Sequence, residues 1–411
     1  MFHSFSIIFL LATVISIINH KWLKLPATIG GLILALGVAM VLISTQYFST
    51  SFYAQTCHLV EDSNFSDLIL EIMLSFLLFA GAIHIDLRKL LKEKMSILTF
   101  ASLGILISTA LFGLMFFYSL KLIGLELPLI VCMLLGSIIS PTDPIAVLAI
   151  LKKAGIAESL ELRIEGESLF NDGFGVVVFT VILSLVESHN LHGSIAHEVG
   201  AIFLHEVLGG LFFGLVLGFI TKHFLLLVAD DGKLSIMVTL SIVMGGYALA
   251  HALGVSGLLA IVMLGLYLGH FINGEGYPHT LKSKINDLWS VLDYSLNMML
   301  FVLIGISMHL IEFDYMIAIA AGIAIVAMLV SRYLSVVISS AIVDVKSVFD
   351  QGTILILTWG ALRGGISLAL VMSLSEGPYK STLIAVVFII VVFSIIIQGL
   401  TLGKVVKRLS K

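Results

Sequence analysis

Charge is what this sequence has least of. Only 12% of its 411 residues are Asp, Glu, Lys or Arg, against about 25% in an ordinary soluble domain. Forty-eight charged side chains are too few to coat a soluble surface of this length, while 59% of the residues are hydrophobic, so the chain must meet lipid. Cysteine is scarce too. Two residues, Cys57 in a polar loop and Cys132 in an apolar run, exclude a disulfide scaffold or a zinc ribbon, and no bridge between them is expected. The formal net charge of -4 comes with no basic patch, which removes a nucleic-acid partner. The apolar content removes disorder. No Walker A string is present. A pump built on this chain therefore draws on an ion gradient and not on a nucleotide.

Long apolar runs are what the sequence has in quantity. A membrane-crossing helix needs about 20 mostly apolar residues. Thirteen segments qualify: 2–19, 27–45, 67–85, 96–118, 127–151, 167–187, 200–228, 234–252, 254–272, 290–311, 315–343, 350–373 and 382–403. They are continuously apolar and not alternating, which excludes a strand barrel. The first has no basic leader and no cleavage site, so it is read as a span and not as a signal peptide. With the N-terminus outside, 18 of the 22 Lys and Arg fall in inner loops, Lys121 and Lys380 fall outside, and Arg332 and Arg363 lie within spans. That asymmetry predicts a multi-pass protein of the plasma membrane with a cytoplasmic C-terminus. Eight residues follow Gly403, so no cytoplasmic regulatory domain is expected.

Ionisable residues inside spans are costly and mark function. Those found here are Glu71, Asp143, Glu167, Asp172, Glu206 and Asp293, with Arg332 and Arg363 against them. The fifth span holds Ser140-Pro141-Thr142-Asp143-Pro144. Two prolines three apart remove helix hydrogen bonds and free carbonyls at membrane depth. Two readings stand: a proline kink capped by Thr-Asp, or a broken helix whose hard oxygens suit a small cation. The sixth span reads Glu165-Gly166-Glu167-Ser168-Leu169-Phe170-Asn171-Asp172-Gly173. Glu167 and Asn171 are four apart, as are Ser168 and Asp172, so helical spacing projects two acids, an amide and a hydroxyl to one side. The plainer reading is a helix entry with capping acids. The twelfth span carries Arg363 among Gly360, Gly364 and Gly365, and Glu167 is its expected partner. Arg332 has no evident partner, and snorkelling to an interface is one option left open for it.

The interrupted segments occupy matching places. With 188–233 set aside as a linker helix, 1–187 and 234–411 each hold six spans of opposite sense, with the fifth interrupted in each: 127–151, followed by the site helix 167–187, and 350–373. An inverted repeat of six plus six with two crossed broken helices points to a midplane ion site.

The strings SPTDP and GESLFND within Ser140–Phe179, WGALRGGISLAL at Trp359–Leu370, and FAGAIHIDLRKL at the end of the third span resemble the NhaP/NHE group of sodium/proton antiporters. The resemblance covers essentially the whole chain. It implies an all-α, thirteen-helix inverted-repeat fold, a homodimer in the lipid bilayer, and a core domain that carries the ion by an elevator-like movement. It places the ion-binding acid on Asp172, with Asp143 and the Thr142 main-chain carbonyl on the crossed broken helix. Ser168 is a hydroxyl ligand, Glu167 supports the site, Asn171 is a structural neighbour of the acids and Arg363 the arginine of the second broken helix. The cation is held by Asp172, Ser168 and Thr142. The implied activity is electroneutral exchange of Na⁺, and of Li⁺, for H⁺ by alternating access, with no cofactor and no enzymatic reaction. K⁺/H⁺ exchange on the same scaffold is the nearest alternative. An ion channel and an intramembrane enzyme that uses Asp143 and Asp172 as acid and base are the more distant ones.

Overall fold

The structure, a computed structural model, describes residues 2–45, 72–154, 156, 158–187, 195–274, 277–310, 314–343 and 351–409. Cys57, the loop 46–66, Glu71 and Lys346 lie outside the described residues. Every regular element among the described residues is helical. Such elements satisfy their own backbone groups, as a segment in hydrocarbon must.

In chain order these are α1 Phe2–Ile18, α2 Ala27–Thr45, α3 Leu74–His84, α4 Leu87–Lys92, α5 Lys94–Ala101 and α6 Leu103–Leu122. Next come α7 Leu129–Ile139, α8 Ile145–Ala154, α9 Glu158–Glu187, α10 Ile195–Leu227, α11 Gly232–Ala252 and α12 Gly257–Ile272. The last are α13 His279–Ile306, α14 Tyr315–Ile342, α15 Gln351–Trp359, α16 Gly365–Met372, α17 Lys380–Phe393 and α18 Gly399–Leu409. Among the described residues, nine helical stretches are long and apolar enough to cross a membrane, and α3, α7 and α12 are apolar but shorter. The protein is therefore an all-helical, polytopic membrane protein.

Several boundaries differ from those expected. The helix of the sixth span begins at Glu158 and not at 167. An apolar window overlooks its amphipathic first turns, but Glu158 and Glu161 there suit the positive end of the helix. Arg163 Nε also donates to Glu93 Oε2 at 2.7 Å. The tenth span, expected at 290–311, lies in a helix that starts at His279. The interruptions fall where the sequence puts them. One helix stops at Ile139 and resumes at Ile145 across the two prolines, and another stops at Trp359 and resumes at Gly365.

Buried side chains form three clusters. One gathers α6, α7, α8 and α14 to α18; a second gathers α3, α10, α12 and the first half of α13; a third joins α1 and α2 to the second half of α13. Helix α9 is the seam. Its Leu160, Ile164 and Phe179 belong to the first cluster, and Leu169, Phe170 and Phe174 to the second. Helix α10 closes on α12 through Gly210, Gly214 and Gly218, which face Ser256, Ala260 and Tyr267. Small residues at fourfold spacing let two helices approach closely in lipid. The outer face of α10 exposes Leu204, Leu208, Phe212, Leu215 and Phe219, an apolar stripe of helical period.

Candidate cation site at the helix crossing

The two interrupted helices meet at their breaks. Asp143 N–H donates to Leu362 O at 2.8 Å, and Arg363 N–H donates to Ser394 Oγ at 2.9 Å. Each break exposes a helix C-terminus with free carbonyls and a helix N-terminus with free N–H groups, and the ends carry opposite partial charges. The side chains at the crossing match those signs. Asp143 Oδ1 accepts from Ile145 N–H at 2.9 Å, so the carboxylate sits on the N-terminus of α8. Arg363 Nη1 donates to Pro141 O at 3.0 Å and also to Ser140 O, so the guanidinium sits on the C-terminal carbonyls beyond α7. Gly364 makes room for this: a Cβ there would lie 2.7 Å from Asp143 Oδ2 and 2.8 Å from Asp143 Cβ.

Helix α9 passes against the first break. Asn171 uses both ends of its amide there: Nδ2 donates to Thr142 Oγ1 at 2.8 Å, and Oδ1 accepts from Thr142 N–H at 3.3 Å. Ser168 Oγ donates to Thr142 O. That hydroxyl has given away its proton, so its lone pairs remain available to a cation, as does the second lone pair of the Thr142 carbonyl. The structure brings Thr142, Ser168 and Asn171 together. Asp172, one residue on, reaches into a cavity of about 450 Å³ whose lining includes Thr142, Asp143, Ser168 and Asp172. No hydrogen bond or ion pair to the Asp172 carboxylate is present among the described residues. The cavity extends to Lys152 and Glu165, on the loop side of α8 and α9, and Lys152 there is exposed.

One expectation is corrected and one option is closed. Glu167 is not the partner of Arg363, and Arg332 does not snorkel to an interface. Arg332 Nη1 lies 2.7 Å from Glu167 Oε1, with both side chains buried. The reason is the local geometry: Arg363 directs Nη1 to the carbonyls beyond α7, whereas Arg332 projects from α14 with no helix end to meet. Glu167 also does not line the cavity with Ser168 and Asp172. It packs with Ser96, Ile97, Phe100 and Leu357 on the other side of α9. At about 100° per residue, 167/171 and 168/172 form two adjacent stripes and not one. Sequence reasoning also passed over Asn297, which lines the same cavity as Asp293. The available signal was a carboxylate and an amide four apart on one helix.

Comparisons with known proteins bear on the family and the fold. Residues 8–408 match the family described as "Sodium/hydrogen exchanger, transmembrane". A Pseudomonas aeruginosa protein named Na⁺/H⁺ antiporter NhaP is 37% identical over 97% of this chain and 95% of its own. The Na⁺/H⁺ antiporter NhaH of Halobacillus dabanensis is 29% identical over 98% and 97%. The solved structure of the sodium proton antiporter MjNhaP1 from Methanocaldococcus jannaschii superposes with a TM-score of 0.74 at 20% identity, covering 98% of this chain and 97% of that one, which establishes a shared fold.

Proposed function

The chain belongs to the sodium/hydrogen exchanger family, and we propose that it is a secondary transporter exchanging Na⁺, and Li⁺, for H⁺ by alternating access. The observation that carries this reading is Asp172, a carboxylate with no hydrogen-bond or ion-pair partner among the described residues, at the wall of a cavity whose neighbouring oxygens come from Ser168, Thr142 and Asp143. A carboxylate in that setting binds either a proton or a small cation, and loading one expels the other. Occupancy by either ion neutralises Asp172 and lowers the cost of carrying it across the membrane.

Na⁺ in this reading is held by Asp172, the Ser168 hydroxyl and the Thr142 carbonyl, with Asp143 completing the negative field. Asn171 and Arg363 fix the broken helix that carries Thr142: the amide grips Thr142 itself, and the guanidinium holds the two carbonyls before it. Glu167 supports the site from behind α9 through Arg332. The same reading comprises thirteen crossings, repeats 1–187 and 234–411 about a linker 188–233, an outside N-terminus, a plasma-membrane location and a homodimer. On that topology the cavity mouth at Lys152 faces the cytoplasm. The exchange is one Na⁺ for one H⁺.

The test is proton release from acid-loaded vesicles on addition of Na⁺, Li⁺ or K⁺, with wild type and Asp172→Asn compared. Na⁺- and Li⁺-driven release by the wild type and none by the variant is expected. Release driven by K⁺ alone would replace the cation in this reading, and release by Asp172→Asn would remove its site.

A further inference from the structure

The cavity has two walls of different origin. Thr142, Asp143, Ser168, Asp172 and Gly364 come from the crossing and from α9, and Asp293 and Asn297 come from α13. Helix α13 packs on α1, α2 and α3 and touches the interrupted helices only lightly. The wall it forms comes from a continuous helix outside the crossing, one that meets the second interrupted helix where Leu300 faces Gly365. Asn297 is 7% exposed. Its Nδ2 donates to Asp293 Oδ1 at 3.0 Å and to Asp293 O at 2.9 Å, which fixes the carboxylate rotamer. No further hydrogen bond to Asp293 is present among the described residues, and the residue lines the cavity. A buried amide thus holds a carboxylate at the α13 wall of the cavity.

We propose that Asp293 is the receiving carboxylate of this cavity, holding the incoming hydrated monovalent cation from the α13 wall before Asp172 and Asp143 take it. The inference rests on the exchange reading above. In an alternating-access cycle the two walls move relative to each other, so Asp293 meets the ion only while the cavity is open on this face. Its contribution is consequently one-sided: it raises affinity for cation arriving from the Lys152 end and does nothing for cation arriving from the other.

The experiment uses the full chain in everted and in right-side-out membrane vesicles, with the KM for Na⁺ measured from each face. Asp293→Asn is expected to raise KM on the Lys152 face about fivefold, the size of one charge–charge contact across water, with kcat and the opposite-face KM unchanged. Asp293→Glu restores KM. Asp287→Asn, which removes a charge from an exposed part of the same helix, leaves it unchanged. Raising ionic strength with choline chloride preserves the difference. KM unchanged on both faces, KM raised equally on both, or a loss in kcat alone overturns the proposal. Should Asp293→Asn fail to accumulate, Asp293→Cys supplies the readout: an anionic thiol reagent lowers the Lys152-face KM and a neutral one does not, and equal effects of the two overturn the idea. Loss of side-asymmetry with wild-type exchange intact defeats this inference alone, whereas absence of Na⁺/H⁺ exchange by the wild type defeats the exchange reading and this inference together.

Discussion

Helix α9 carries two carboxylates five residues apart, and the structure treats them in opposite ways. Glu167 is 4% exposed and meets Arg332 at 2.7 Å in a dry contact behind the helix. Asp172 opens onto the cavity and has no hydrogen bond or ion pair among the described residues. Both acids are at a depth where a bare charge is expensive. One is neutralised permanently by the protein. The other has no such partner among the described residues, and in the exchange reading a mobile ion neutralises it. The difference predicts that stability and activity separate along a single helix.

Asp172→Asn is the strongest break of the comparison. It should abolish cation-driven proton movement while raising or preserving the thermal midpoint, because an unpaired buried charge has been removed. Normal exchange by that variant, measured by pH-dye recovery in vesicles, would sink the contrast. Glu167→Gln should do the reverse, costing about 3–5 kcal/mol by leaving Arg332 buried and unpaired. Combining it with Arg332→Gln should recover much of that loss, whereas combining it with Arg363→Gln should not. Thermal melts of the singles and doubles give the coupling energies, and a larger coupling to Arg363 would reverse the pairing.

Much of this contrast could be read from residue order. Prolines 141 and 144 announce a broken helix, Gly360 to Gly365 announce another, and Asn171-Asp172 stands out at the head of the apolar run 173–179. Which arginine pairs with Glu167 could not be read. That choice depends on where the carbonyl end of α7 points, and Arg363 reaches Ser140 O and Pro141 O only because the two breaks cross. The separation of Glu167 from Ser168 and Asp172 depends on how α9 is rotated between its two hydrophobic clusters, a property of packing on both sides. Helix starts at Glu158 and His279 escaped an apolar window because charged first turns stand at the membrane edge.

Smaller effects sharpen the comparison at the crossing. Gly364→Ala would push a methyl to 2.7 Å from Asp143 Oδ2, and overpacking of this kind costs about 1–3 kcal/mol. It should weaken Na⁺ affinity more than it lowers the melting temperature, since the displaced group is the carboxylate of the site. A melt that shifts with an unaltered KM would show that Gly364 serves packing only. Proton competition at the unpaired acid gives a graded test. Below the pKa of Asp172 the apparent Na⁺ affinity should fall about tenfold per pH unit, and at high pH proton supply should limit the rate, giving a bell-shaped profile. A KM that stays flat through the acid limb would contradict a shared carboxylate.

The smallest expected effect is that of voltage, and it probes whether Asp172 alone is left open to titration. Asn171 carries no exchangeable proton at relevant pH, and its amide is occupied at both ends by Thr142. Glu167 is paired with Arg332. Asp143 is the remaining candidate. Its Oδ1 accepts the Ile145 N–H at the positive end of α8, a contact that on its own stabilises the carboxylate, and the one-for-one reading requires Asp143 to keep one protonation state. One titrating carboxylate then trades one Na⁺ for one H⁺, and no net charge moves. A transmembrane potential acts on a moving charge with about 2.3 kcal/mol per 100 mV, so an exchanger that moved an extra proton would respond steeply. In sealed proteoliposomes clamped with K⁺ and valinomycin, the Na⁺-driven pH change should keep its rate at either sign of the potential. An acceleration that reverses with that sign would mean that a second acid titrates. Asp143→Asn would then identify it, because the voltage response should vanish if Asp143 carries the extra proton.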